Sequence, residues 1–70
     1  MSERIHILRV LRGFVTRRAR ELQAWQPRDG MSESELDDAA LAIKLRVDEA
    51  RIYLSEIDRM IQAEEDAEQR

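Results

Sequence analysis

Between Leu36 and Ile61 the apolar side chains recur at Leu36, Ala40, Ile43, Val47, Ala50, Leu54, Ile57 and Ile61, in alternating steps of four and three. That spacing returns each residue to one side of an α-helix and makes a continuous stripe along which a second helix can lie. The pattern predicts a long helix from about 33 to 65, with no glycine or proline inside it. Upstream, Ile7, Leu8, Leu11, Phe14, Val15, Ala19, Leu22 and Trp25 share one face at 100° per residue. They predict a first helix over about 3–26, with Ser2 as its N-cap. Arg4 and Arg18 fall within that arc. Their stems can lie on apolar surface while the guanidinium groups reach water, or they can join ion pairs between chains.

The two segments are separated by Gln26-Pro27-Arg28-Asp29-Gly30. Proline biases the residue before it out of helical geometry, and Asp-Gly is turn chemistry, so a turn is expected over 27–31. Ser32 followed three residues later by Glu35 reads as a capping box, with Met31 and Leu36 at the positions of a hydrophobic staple. The expected fold is therefore all-α: an antiparallel two-helix hairpin in a single domain covering 1–70. The acidic tail at 66–70 opposes the dipole of the helix it ends, so fraying is expected there. Gly13 interrupts the first helix on its outer side, where a close backbone neighbour or simple tolerance of the glycine would account for it equally well.

The second helix outruns the first by about ten residues. Folding the chain back about Pro27–Gly30 brings the start of the first helix level with Ile57, leaving Met60 and Ile61 as an overhang. A lone hairpin also covers only one side of each stripe. Pairing of two hairpins into a four-helix bundle is expected, with Leu54, Ile57, Met60 and Ile61 as dimer contacts. Leu41, Leu45 and Ile52 form a further apolar line on the back of the second helix, with Asp48 and Glu49 between them. They are the expected docking ridge for another protein. Tyr53, Met60 and Ala39 flank the main seam as core edge, and Trp25 is placed to cap the core beside the turn.

Composition sharpens this picture. A 70-residue chain buries little of its surface and usually adds a disulfide, a metal or another subunit. There is no cysteine and only one histidine, which removes the disulfide, the thiolate zinc site and a multi-histidine site within one chain. No Gly-rich phosphate loop or Cys–His or Ser–His–Asp set is present, so no catalytic site and no cofactor are expected. Glu3-Arg4-Ile5-His6 has the Glu-x-x-His spacing of carboxylate metal bundles, but it lies on the polar side, and no metal ligands are assigned. Apolar residues are 43% of the chain and charged residues 39%, a globular rather than a disordered balance. No apolar run approaches a membrane span, and the opening residues lack the features of a signal peptide, so the expected compartment is the cytoplasm.

The net charge of −3 conceals an asymmetry: residues 1–28 hold seven arginines against two acids, and the remainder hold thirteen acids against five bases. Arg9, Arg12, Arg17 and Arg20 form a basic face on the first helix, fitted to an acidic protein surface or to nucleic-acid phosphates. The architecture is similar to that of small plasmid-encoded four-helix regulators, whose hairpins dimerise and bind RNA, a likeness of layout without a shared motif. The function expected from the sequence is a non-enzymatic, homodimeric protein-binding regulator or adaptor. The alternatives are a nucleic-acid-binding regulator and a structural subunit of a larger assembly.

Overall fold

The computed structural model describes residues 3–70; Ser2, expected as the first N-cap, lies outside them. Two helices, α1 (Glu3–Gln23) and α2 (Glu33–Glu68), form a hairpin whose backbone measures 58 × 15 × 11 Å. They run antiparallel, with Arg4 beside Glu64 at one end and Leu22 beside Ile43 and Val47 towards the other.

Helix α1 stops three residues sooner than its apolar pattern implies. Its last regular bond runs from Ala24 N–H to Arg20 C=O at 3.0 Å, and Trp25 N–H then reaches back only three residues, to Leu22 C=O at 3.3 Å. Pro27 cannot donate a backbone bond and excludes helical geometry at Gln26, so the tightened turn ends the helix early. Gly30 takes φ +86°, the left-handed region that glycine enters without steric cost. Ser32 caps α2: its Oγ accepts the Glu35 N–H at 3.2 Å, and its hydroxyl donates to the Glu35 carboxylate at 3.1 Å. The capping pair is thus closed through the hydroxyl. Met31 and Leu36 are both half-buried, as the staple requires.

At its other end α2 remains helical to Glu68, past the fraying expected from 66 onward. The acids that oppose its dipole are compensated from α1: Arg4 lies 3.4 Å from Glu64 and Arg9 lies 3.0 Å from Glu65. The positive end of the α1 dipole stands beside the negative end of α2 as well. Gln62 donates to Asp66 at 3.0 Å, and the Gln69 N–H closes the last carbonyls.

These contacts correct the expected register. The start of α1 reaches Glu64 and Glu65 rather than Ile57, so Ile61 is half-buried and does not overhang. The excess length of α2 is absorbed at the turn instead. Residues 24–32 form a long connector, which at ~3.3 Å per extended residue can run back beside the first turns of α2. Trp25, on this connector, borders a groove with Ala39, Ala42 and Ile43.

The core consists of Ile5 and Leu8 of α1 with Val47, Ala50 and Ile57 of α2. Val15, Ala19, Leu22, Leu36, Ala39, Ile43 and Leu54 extend it as half-buried neighbours, whereas Ala40 of the expected seam is exposed. The inner face of α1 is rotated from the expected one: Ile5 enters, and Ile7, Leu11 and Phe14 are left outside. The rotation carries Arg4 and Arg18 out to water, and no charged group is buried among the described residues.

A Cβ added at Gly13 meets nothing within 4 Å, so no close neighbour among the described residues accounts for the glycine. Gly13→Ala should therefore stabilise the fold by about 1 kcal/mol. Ser32→Ala should cost about 1 kcal/mol through the lost cap, and Ile57→Ala about 2–4 kcal/mol through cavity formation. Urea unfolding of the three variants checks all of these; a destabilising Gly13→Ala would mean that another surface packs against that turn.

Candidate functional site

The two helices leave a groove on each side of the hairpin, and the two sides differ in chemistry. On one side the edges are joined by ion pairs. Arg12 Nε donates to Asp58 Oδ1 at 2.6 Å, and Arg9 reaches Glu65. The hydrogen bond to Asp58, then its charge, hold the Arg12 guanidinium above its usual, already very high, pKa. The groove on this side, towards the turn, carries Lys44, Asp48 and Arg51 along its α2 edge.

The other side is apolar, apart from the Arg4–Glu64 pair at its end. Phe14, Val15 and Leu22 of α1 face Ala50 and Tyr53 of α2 across an open groove of about 280 Å³, with Arg18, Arg46 and Glu49 at its rim. Ile7 and Leu11 precede Phe14 by seven and three residues, and Met60 follows Tyr53 by seven, so all five lie on the same side of the hairpin. Each is exposed, Phe14 at 60%. Tyr53 and Met60, expected at the core edge, thus lie largely outside it, and Trp25, expected to cap the core, is exposed at 39%.

Leu41, Leu45 and Ile52 stand on the back of α2 at 57%, 59% and 63% exposure, an uncovered ridge directed away from α1. The residues expected to contact a second chain divide. Ile57 is only 5% exposed because Ile5 and Leu8 bring α1 over the seam there, so it has little surface to offer. Leu54 and Ile61 are half-buried, and Met60 alone is open.

The basic face also divides. Arg9 and Arg12 turn towards α2 and are neutralised by Glu65 and Asp58, a consequence of the rotated seam. Arg17 and Arg20 are exposed and make no ion pair among the described residues. His6 is exposed, and no three metal-ligating side chains converge among the described residues. No helix there is long and apolar enough to cross a membrane.

Fold and surface together define an all-α helical hairpin with one ion-paired side, one apolar side and an apolar back ridge. Compared with known family models, curated proteins and solved structures, the chain matches none.

The apolar side was open to the sequence through Ile7, Leu11 and Phe14, which were assigned to the wrong environment. Ile5 was missed, although Ile5, Leu8, Arg12, Val15, Ala19 and Leu22 repeat in steps of three and four. Arg12 in that series disguises the stripe. A double-mutant cycle on Arg12→Ala and Asp58→Ala should show favourable coupling that fades as salt is raised. Purely additive effects at low salt would mean that the pair does not join the helices in solution.

Proposed function

We propose that this chain is a non-enzymatic association module: a helical hairpin that pairs with a second copy and, so assembled, occupies the surface of another protein. One observation carries this reading. The chain exposes 5908 Å², whereas a folded monomer of 8.3 kDa exposes about 4,600 Å². The excess, roughly 1,300 Å², exceeds the ~800 Å² that each partner buries in a standard interface. Large apolar side chains are exposed on the flat side, at Phe14 and Tyr53, and along the back ridge, at Leu41, Leu45 and Ile52.

The regulator or adaptor role rests on the back ridge of Leu41, Leu45 and Ile52. Three apolar side chains in line on one helix suit a groove or a partner helix, and Arg17 and Arg20 can add attraction to an acidic surface. A nucleic-acid role is less well supported, because two of its four expected phosphate contacts, Arg9 and Arg12, are already held by carboxylates.

Light scattering should give a mass of two chains or more. A single-chain mass up to the highest soluble concentration would remove self-association from this reading. Leu45→Glu should leave that mass unchanged and abolish capture of the protein partner from host extract; undiminished capture would show that the ridge is idle.

A further inference from the structure

The apolar side of the hairpin and its charges specify which surface pairs and in what orientation. We infer that a second copy of this chain seats on the side formed by Ile7, Leu11, Phe14, Tyr53 and Met60, related by a two-fold axis along the hairpin. Helix α1 of each copy then lies over α2 of the other. This inference rests on the self-association proposed above and adds its geometry.

Size and charge carry the choice of a second copy. The apolar side offers a surface two helices wide, with Ile7, Leu11, Phe14, Tyr53 and Met60 all exposed on it, the breadth that the two-sided packing of a hairpin pair requires. The back ridge is narrower, one helix wide. Charge then fixes the orientation. Helix α1 carries six arginines against two acids, and α2 carries twelve acids against four bases. A two-fold along the hairpin sets each basic helix beside two acidic ones, and every neighbouring pair runs antiparallel. An axis across the hairpin would instead lay α1 on α1 and α2 on α2, bringing like charges together along the whole contact.

The individual residues agree. Those that share a level within one chain meet each other's counterparts across a lengthwise axis. Phe14 and Arg18 share a groove with Tyr53 and Glu49, and Arg4 is bridged to Glu64. In the pair, Phe14 meets Tyr53 of the second copy, Arg18 meets its Glu49, and Arg4 meets its Glu64. The crosswise axis would bring Arg18 to the Ile7 end of the other α1, one turn from Arg4. Aromatic pairs at the centre with opposite charges at the rim are the usual anatomy of a specific interface. The arrangement also leaves Leu41, Leu45 and Ile52 on the outside of the bundle.

The test combines one apolar variant with a charge exchange, read by sedimentation with helicity checked by circular dichroism. Phe14→Glu should weaken pairing at least ~100-fold, since it buries a carboxylate among aromatic side chains; Leu45→Glu should not weaken it. Arg18→Glu and Glu49→Arg should each weaken pairing about tenfold, because each turns two rim attractions into repulsions. Mixing those two variants should restore wild-type affinity, because the mixed pair regains both attractions; an effect confined within one chain would not be rescued by mixing. If Arg18→Glu strengthens pairing, the axis runs crosswise and the inferred orientation is wrong. If Leu45→Glu breaks the pair and Phe14→Glu does not, the interface is the back ridge and the inferred surface is wrong, with self-association intact. A wild-type chain that stays single would overturn the inference together with the self-association beneath it.

Discussion

A helix can give only one face to one neighbour, and this chain has just two helices. The two helices share a single seam, with Ile5 and Leu8 at its Ile57 end and Val15 and Leu22 beside Ala50 and Val47 further along, and there the intrachain packing ends. Both helices carry apolar side chains on more than that one face. For α1, the seam could form on either of two overlapping stripes. The stripe that packs is the less hydrophobic one, with Val15 and Ala19; its one arginine, Arg12, reaches out to Asp58, whereas the other stripe would draw both Arg4 and Arg18 in with Phe14. The choice avoids buried charge and leaves Ile7, Leu11 and Phe14 in water. That cost, at ~25 cal/mol per Å² of apolar surface, is large enough that covering the exposed side should drive association.

Charge completes what packing begins. The basic helix lies against the acidic one, and the pairs Arg9–Glu65 and Arg12–Asp58 close one side of the hairpin without burying any of the four groups. Exposed ion pairs contribute little to stability individually. Their effect here is on register and on which side stays open. By tying α1 to the last turns of α2, they bring the two chain ends together and move the surplus length of α2 to the connector. Arg9–Glu65, together with Arg4–Glu64, also sets positive charge beside the acidic end of α2, where its dipole alone would favour unwinding.

Much of the fold was legible in the sequence, and the parts that were not have physical causes. The α2 seam was readable because its steps of four and three run unbroken for eight positions, and seven of those residues are buried or half-buried. Ser32 and Glu35 marked the start of α2 because capping is a local event. The register was misjudged because an even fold about Pro27–Gly30 was assumed, and pattern does not reveal that nine residues leave the helical path. The α1 face was misassigned because hydrophobicity alone favours Phe14 over Val15, whereas the fold also weighs where the arginines fall. Arg9 and Arg12 were read as free for the same reason. The back ridge of Leu41, Leu45 and Ile52 was legible because it lies opposite a seam that was itself correctly placed.

On the reading proposed above, one copy of this hairpin buries too little apolar surface to be the stable form. The most direct measurement is the urea unfolding midpoint at two protein concentrations about a hundredfold apart. Coupled folding and association requires the midpoint to rise with concentration, because the paired state is favoured by mass action. Identical, sharp midpoints at both concentrations would show that the single hairpin is stable alone, and would contradict the account.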